Sequence, residues 1–356
     1  MVKFNILAGG NIAFIVSYLF DSVDKTLTLI RKNPSGQNTS WIERSVINPS
    51  ILYAVNEVEA GVIQSFTIFN NGTLSDAIAS TSSGGNGPAH VFASPCGEVA
   101  SMNYAGGTGA IVNTTNNGSD FGGSTFITFP PIGSSGLAHP HETLQLGNEF
   151  LVPDLGGDTI WRLVPNADGI FSIGGEIKQP TGSGPRHAAI HRDILVTLHE
   201  LSSTITSQRI PPLGQNSSGL ISNLSIVPLD QAAMAGASFA AAEVLIPSPN
   251  LVFNSTLVYA SNRNTGTIID TRGDSIAVLC LSPDGTLQMI NQFFTGLNQV
   301  RGMQFGGPDN RYLVASGVVG DGGVVVFERV GKGDQFVEVS RNRDIPNLTS
   351  FVWVCV

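Results

Sequence analysis

One stretch of the chain places a guanidinium and a carboxylate where they can share a site. Arg186 follows a Gly184-Pro185 turn signal, and Glu200 comes just after the apolar run 194–198. Between them, Arg192-Asp193 fits a tight reversal, so the stretch predicts a hairpin of two short strands. The start of one strand and the residue just beyond the next lie on one rim of such a hairpin. The sequence therefore predicts either a shared site for Arg186 and Glu200 or a surface salt bridge at a sheet edge.

Three other stretches, residues 87–90, 139–142 and 300–302, place a turn or small residue and then a polar side chain before a strand. A planar guanidinium pairs with both oxygens of a carboxylate, and histidine titrates near neutral pH. These residue types predict a site for a small anionic organic substrate, and the alternative is that they only hydrogen-bond neighbouring strands. The candidates are His90, His139, His141, Arg186, His187 and Arg301.

The element that positions these residues is a repeat. Seven apolar segments are each followed by a polar or glycine-rich turn and usually by another strand, which gives about 51 residues per unit in a chain of 356. That is the size of a four-stranded propeller blade, and the polar residues before the innermost strands would ring one mouth of the central channel. The seven segments are residues 13–18, 52–57, 99–104, 150–154, 194–198, 257–262 and 312–316.

The predicted fold is all-β: a single seven-bladed β-propeller domain, residues 1–356, with four-stranded antiparallel blades. The 41 glycines, 19 prolines and 13% charged residues fit many turns, and only the Ala-rich segment 230–243 has helical spacing. We expect the N-terminal strand, residues 3–7, to close the ring by completing the blade that begins near Arg301. An open edge at that point would promote aggregation.

Composition and charge exclude several classes of partner and cofactor. A net charge of −9 argues against a nucleic-acid partner or an anionic membrane surface. The three cysteines, Cys96, Cys280 and Cys355, are too far apart for a metal motif and imply no disulfide framework. We predict no metal, because Asp154 and Asp158 fit loop-stabilising roles, and no nucleotide cofactor, because no glycine-rich phosphate loop precedes a helix. The oligomeric state stays open.

The chain carries more Asn-x-Ser/Thr sequons than its composition predicts by chance. This excess and the low lysine content predict a secreted, glycosylated protein, with a cytoplasmic location as the alternative. The sequon asparagines are Asn38, Asn71, Asn113, Asn117, Asn216, Asn223, Asn254 and Asn347.

The order of several short motifs resembles the seven-bladed lactonase family. That family groups bacterial 6-phosphogluconolactonases with the fungal 3-carboxy-cis,cis-muconate lactonizing enzyme, also called carboxymuconate cyclase. The resemblance covers nearly the whole chain and implies the propeller fold. The motifs are Ser135-Gly-Leu-Ala-His-Pro-His141, Val152-Pro-Asp-Leu-Gly-Gly-Asp158, Gly184-Pro-Arg-His187, His199-Glu-Leu201 and Ala260-Ser-Asn-Arg263.

The resemblance also implies a site of one His, two Arg and one Glu, which match His141, Arg186, Arg263 and Glu200. It implies that Arg186 and Arg263 clamp a carboxylate, and that His141 and Glu200 act as the acid/base pair if burial raises the pKa of Glu200. His139, His187 and Arg301 are the further candidates for substrate binding. The chain departs from the family in the lengthened loop 264–272, which affects the shape of the pocket.

Three functions follow from this reading. The first is a metal-independent intramolecular lyase of the carboxymuconate cyclase type, or a lactonase acting on a carboxylated small molecule. The second is a lactone hydrolase of the 6-phosphogluconolactonase type. The third is a secreted, non-catalytic propeller that works as a binding module. The same four side chains can cyclise a carboxylate or hydrolyse a lactone, so residue type alone does not separate these reactions.

Overall fold

The computed structural model of the chain describes residues 3–132, 136–215, 217, 219–234 and 236–355, with the side chain of Cys355 left out. The sequon at Asn216 and the motif residue Ser135 lie outside the described residues. Within the described ranges, no helix has the length and apolar character needed to cross a membrane.

The described chain is almost entirely β-strand. The first half contains β1 Lys3–Gly10, β2 Phe14–Asp21, β3 Thr26–Pro34, β4 Trp41–Arg44, β5 Ile51–Asn56, β6 Val62–Thr67, β7 Ala79–Ser82, β8 Pro88–Ala93, β9 Glu98–Asn103, β10 Thr108–Thr115, β11 Asp120–Thr128, β12 Leu144–Leu146, β13 Glu149–Asp154, β14 Thr159–Pro165 and β15 Phe171–Lys178. The second half contains β16 Pro185–His191, β17 Ile194–His199, β18 Thr204–Arg209, β19 Leu220–Ser225, β20 Phe239–Leu245, β21 Leu257–Asn264, β22 Ser275–Leu281, β23 Leu287–Phe294, β24 Asn298–Gly306, β25 Tyr312–Val319, β26 Val324–Val330, β27 Gln335–Asn342 and β28 Leu348–Cys355. The helical turns are α1 Leu229–Ala232 and the 3₁₀ turns Asn116–Gly118 and Pro308–Asn310.

These strands form seven antiparallel four-stranded sheets, which are the blades of a seven-bladed β-propeller. This confirms the predicted fold and blade count. Six of the seven repeated segments are the second strands of their blades, and segment 13–18 lies in β2, the third strand of its blade. Second strands such as β5 and β17 are buried along their whole length because neighbouring blades cover both of their faces. Outer strands such as β19 and β27 expose much of their length.

Apolar side chains of neighbouring blades interlock to form the core. In one cluster, Ile6 and Val16 pack with Val314 and Val326 of the adjacent blade. In another, Val196 of β17 packs with Val258 of β21. Each blade therefore buries its faces against the next one, and the inner strands are held around a central channel.

The ring closes differently from the sequence-based expectation. The blade that begins near Arg301 is complete in itself, with strand order β24-β25-β26-β27. The N-terminal strand β1 pairs instead with β28 on one side and with β2 on the other, and β28 is the innermost strand of that blade. Both chain ends are apolar strands able to fill either place, so only their pairing decides which one is innermost.

The Ala-rich segment 230–243 is helical for one turn only. Helix α1 ends at Ala232, and β20 begins at Phe239 as the innermost strand of its blade. The consequence for function is that Glu243 lies on an inner strand, facing the centre of the ring.

Candidate active site

The four residues predicted to be catalytic, His141, Arg186, Glu200 and Arg263, meet with Arg301 at one mouth of the central channel. Inner strands begin at this mouth and second strands end there, because neighbours in a blade are antiparallel. The cavity at the mouth has a volume of about 180 Å³. Its lining residues are Glu57, Ala89, Tyr104, His141, Arg186, Glu200, Arg263 and Arg301.

Bulges at the starts of three inner strands turn residues into this cavity. The pairing register shifts at Ala89 in β8, at Arg186 in β16 and at Arg301 in β24, so each is the extra residue of its strand. A bulge leaves one residue outside the regular ladder and re-aims its side chain. The three positions are equivalent in their blades, and all three line the cavity.

Loop aspartates hold the turns that lead into the site. Asp154 accepts hydrogen bonds from the backbone N–H of His139 at 2.6 Å and of Gly156 at 3.1 Å. Asp158 accepts from the N–H of Gly184 at 3.0 Å, two residues before Arg186. The structure-forming roles predicted for Asp154 and Asp158 agree with these contacts.

Glu200 bridges two arginines. Its Oε2 lies 2.8 Å from Nε of Arg186, and its Oε1 lies 3.0 Å from Nη2 of Arg263. The side chain of Arg186 is only 2% exposed and that of Arg263 is 11% exposed, so the first contact is a buried ion pair and not a surface salt bridge. The hairpin rule therefore placed the Arg186–Glu200 pair correctly.

Both arginines are also held by backbone carbonyls of β20. Nη1 of Arg186 donates to the carbonyl of Ala242. Nε and Nη2 of Arg263 donate to the carbonyls of Ala240 and Ala241, each at 3.1 Å. The β20–β21 register shifts between Ala241 and Val244, directly beside these carbonyls. The guanidinium groups are thus fixed before any substrate binds.

Arg301 is held more loosely than the other two arginines. Its nearest carboxylate oxygen is Oε2 of Glu57 at 3.9 Å, and its side chain is 22% exposed. The three arginines and the two glutamates of the lining, taken at their full charges, give the cavity a net charge of +3 − 2 = +1. The cavity can therefore attract a small anion in a chain whose overall charge is −9.

The electrostatics of the cavity separate Glu200 from His141. Burial alone would raise the pKa of Glu200, but Arg186 and Arg263 together hold that pKa below its ordinary value. Glu200 is therefore an ionised bridge, which corrects the expectation that burial equips it for acid/base work. Burial is the main cause that lowers the pKa of His141 well below its usual range, and the positive charge of Arg186 is the next largest cause. The imidazole of His141 is therefore neutral.

Two histidines predicted to bind substrate lie outside the cavity lining. His139 stacks on Tyr104 with ring centroids 4.7 Å apart, and its Nδ1 lies 2.8 Å from the Tyr104 carbonyl oxygen. His187 is fully buried beneath His141, and the two imidazoles contact through nitrogens 3.2 Å apart. His139 supports the wall of the site, and His187 supports its floor.

Several polar residues near the site were missed from the sequence. Tyr104 and Glu57 follow second strands at the same mouth as Glu200, so strand position alone points to them. Glu142 directly follows His141, and its Oε2 accepts a hydrogen bond from the N–H of Ala188 at 2.7 Å. Glu243 lies in the Ala-rich segment, where the sequence gives no signal for an inner strand.

The described residues contain no group of three His, Cys, Asp or Glu side chains arranged to hold a metal ion. Metal independence stays a prediction. The side chains facing the cavity supply fixed positive charge, one neutral imidazole and a phenol. This set can hold an anionic molecule and move a proton at His141.

Comparisons with known proteins agree with the propeller fold. The family model described as "Lactonase, 7-bladed beta-propeller" matches residues 7–353. A protein of Arthroderma benhamiae named "Probable 6-phosphogluconolactonase" is 26% identical over 326 residues, which are 87% of this chain and 78% of that protein.

Two solved structures share the fold. The periplasmic gluconolactonase of Pseudomonas aeruginosa matches with a TM-score of 0.84 at 17% identity, over 100% of both chains. A protein from Lactobacillus plantarum matches with a TM-score of 0.84 at 21% identity, over 99% of this chain and 100% of that one. Identities this low establish a shared fold alone. Because the family model spans nearly its whole length, this chain belongs to the seven-bladed β-propeller lactonase family.

Proposed function

We propose that this protein hydrolyses a small lactone that carries an anionic group. The observation that carries the proposal is the division of roles in the cavity. Glu200 is tied up as an ionised bridge between two arginines, while the neutral imidazole of His141 lines the same cavity. A neutral imidazole beside fixed positive charge suits the activation of water for attack on a carbonyl.

In the proposed reaction, Nε2 of His141 accepts a proton from a water molecule as the water oxygen bonds to the lactone carbonyl carbon. The negative charge that develops on the carbonyl oxygen is stabilised by an arginine of the lining, either Arg263 or Arg301. The bond from carbon to the ring oxygen then breaks, and the ring oxygen takes the second proton of the added water, so the product is a hydroxy acid in its carboxylate form. Arg186 and Glu200 keep the other groups in place.

The size of the cavity limits the substrate. A volume of about 180 Å³ lies below the roughly 300–1,000 Å³ of pockets for drug-sized ligands. The substrate is therefore a monocyclic acid or sugar derivative. Arginine binds both carboxylate and phosphate, so the cavity accepts either anionic group. The name of the Arthroderma benhamiae relative supports the phosphorylated alternative.

The intramolecular lyase is the second candidate, because the His, the two Arg and the Glu expected for it do meet at one mouth of the channel. That reaction needs a proton delivered to carbon. The family description and the name of the Arthroderma benhamiae relative both refer to lactones, so we rank hydrolysis first.

A panel assay separates these functions. The purified protein is mixed with 6-phosphogluconolactone, gluconolactone and a carboxylated muconolactone, and acid release is followed at fixed pH. Loss of the diene absorbance of 3-carboxy-cis,cis-muconate is followed in parallel. Hydrolysis of one of the lactones supports the proposal. Diene loss alone supports the lyase, and no turnover in either arm supports a binding module.

We also propose that the chain is exported and glycosylated. Of the seven sequon asparagines among the described residues, six are exposed and Asn347 is half-buried, so glycans can reach them. Mass spectrometry of protein from its native source tests this proposal, and unmodified sequons throughout would contradict it. Occupied sequons would favour an unphosphorylated lactone, because phosphorylated sugars are substrates of the cytosol.

A further inference from the structure

Beneath His141, the floor of the candidate site contains two buried titratable side chains, His187 and Glu243, that the reaction above does not use. Nδ1 of His141 lies 3.2 Å from Nε2 of His187, and Nδ1 of His187 lies 2.8 Å from Oε1 of Glu243. We propose that Glu243 is a positioning residue that acts through His187, sets the tautomer of His141 and receives the proton that His141 accepts. This inference rests on the proposed hydrolase function.

Burial makes the three groups depend on one another. His141, His187 and Glu243 are 2%, 0% and 4% exposed. The ring of His187 also packs edge-on against Trp41, with centroids 5.3 Å apart, so it has little room to turn. An unpaired donor or acceptor costs free energy in such a place, and each imidazole nitrogen must therefore match its neighbour.

Only two matched arrangements of the chain are possible. With Glu243 ionised, His187 donates from Nδ1 to the carboxylate and accepts at Nε2 from Nδ1–H of His141. Nε2 of His141 then carries a lone pair and is a base. With Glu243 protonated, every donor and acceptor reverses, and Nε2 of His141 carries a hydrogen. The charge on Glu243 thus decides which tautomer faces the substrate.

Moving between the two arrangements transfers one proton from water to Glu243. Nε2 of His141 takes a proton from the attacking water, and Nδ1 of His141 gives its proton to Nε2 of His187. Nδ1 of His187 then gives its own proton to the carboxylate of Glu243. Each imidazole ends neutral, so no positive charge is left beside the arginines.

Burial and the surrounding arginines favour neutral imidazoles, and Glu200 opposes them at His187. Arg186 on β16 and Arg301 on β24 face both His141 and His187. Arg263 and Glu200 face His187 from the rim of the cavity, and His90 on β8 faces His141. Burial is the main cause that lowers the pKa of His187 well below its usual range, and the positive charge of Arg186 is the next largest cause. Burial raises the pKa of Glu243 to about 8, so its carboxyl can hold a proton near neutral pH.

A second cavity lies beyond the histidines, further along the channel. It has a volume of about 390 Å³, and Glu243, Glu142, His90 and Glu43 are among its lining residues. It shares no lining residue with the substrate cavity. Glu142 approaches Nδ1 of His187 only to 3.7 Å and is engaged by the Ala188 amide, so Glu243 is the direct partner. The proton received by Glu243 can leave into this cavity without crossing the substrate.

The first test observes tautomers and needs no substrate. Nitrogen NMR of histidine-labelled protein reports which nitrogen of His141 carries the hydrogen. In the wild type we expect a change from Nε2–H to Nδ1–H as the pH rises through about 8. Glu243→Gln should show one tautomer at every pH. Glu43→Gln is the matched control, because Glu43 lines the same cavity without a described contact to His187, and it should behave as the wild type.

The second test is kinetic. On the lactone turned over by the wild type, Glu243→Gln should lose about 100-fold or more in kcat, while KM changes by less than about threefold. Its kcat should also lose the rise with pH near pH 8. Glu43→Gln should retain both the rate and the profile.

The two tests fail separately. If Glu243→Gln shows the wild-type change of tautomer with pH, or if the wild type shows no change, the relay is overturned whatever the substrate. If the tautomers respond as expected but no lactone is hydrolysed, the relay stands and the proposed reaction is wrong. A Glu243→Gln variant with wild-type kcat on a hydrolysed lactone overturns the relay alone.

Discussion

Arg186 and Glu200 lie at opposite ends of one hairpin, and their side chains meet as an ion pair of 2.8 Å at the mouth of the channel. The Nε–H of Arg186 is not aligned for a hydrogen bond to Glu200, and Nη1 is engaged by the Ala242 carbonyl. Arg186 is thus a fixed positive charge that ties β16 to β20. Its charge and its planar shape both matter.

Arg186→Lys should therefore behave as a loss-of-function change. Lysine keeps the charge but replaces a rigid fork with a mobile point cation, which cannot hold Glu200 and the Ala242 carbonyl together. Because Glu200 and Arg263 then lose their fixed positions beside His141, we expect kcat to fall by about 100-fold and KM to change much less. Steady-state kinetics checks this.

The control for this change is Arg209→Lys. Arg209 pairs with Asp193 at the other end of the same hairpin, and its side chain is 54% exposed. It should leave kcat and KM unaltered. If Arg186→Lys turns over substrate within about threefold of the wild type, Arg186 is only a structural partner of Glu200.

Glu200→Gln tests whether Glu200 is a bridge or an acid/base group. Removing its charge raises the full-charge total of the lining from +1 to +2, so an anionic substrate should bind more tightly and KM should fall. The two arginines then repel each other, and Tm should fall. We expect kcat to stay within about tenfold of the wild type with the same pH profile, whereas an acid/base group would cost about 100-fold or more.

Arg301→Ala tests which guanidinium meets the substrate. Because Arg301 has only a 3.9 Å contact to Glu57, its removal should leave Tm nearly unchanged. Loss of a charged hydrogen bond to the substrate should raise KM by about 10- to 100-fold. Arg31→Ala, at an exposed position on β3, is the control and should keep the wild-type KM. An unchanged KM in Arg301→Ala would remove Arg301 from the site.

Sequence reasoning reached the parts of the site that follow from strand order. A hairpin brings Arg186 and Glu200 to one rim, and the repeat places the residues around His141 and Arg301 at the same mouth. The bulges were not visible. No residue type in this stretch signals that Arg186 is the extra residue of a bulge. The sequence therefore predicted His187 in the cavity, whereas His187 lies beneath His141.

Glu243 shows a different limit. Its alanine-rich surroundings favour a helix, but packing against β16 and β24 makes the segment an inner strand, so tertiary contacts override local propensity. Ring closure shows the same limit. Strands β1 and β28 are both apolar, so the hydrophobic pattern does not show which of them is innermost. Their pairing in the assembled ring decides this.

The raised pKa of Glu243 predicts how stability depends on pH. The folded protein keeps this carboxyl protonated up to about pH 8, while the unfolded chain releases the proton near pH 4.5. The folded state therefore binds more protons in this window, and the free energy of unfolding should fall by up to about 1.4 kcal/mol for each pH unit.

This contribution is fully present below about pH 4.5 and is lost as the pH rises through about 8. Denaturant unfolding between pH 5 and pH 8 measures it. Glu243→Gln should remove this part of the slope. An identical slope in the variant and the wild type would show that Glu243 is ionised in the folded protein.

The proposed hydrolysis depends on His141, which activates water beside the arginines. The most direct measurement is the rate of acid release from the preferred lactone by the wild type and by His141→Gln, corrected for spontaneous hydrolysis at the same pH. Glutamine keeps a polar side chain of similar size but accepts no proton, so kcat should fall by about 100-fold or more. A His141→Gln variant with the rate of the wild type would show that His141 does not activate the water.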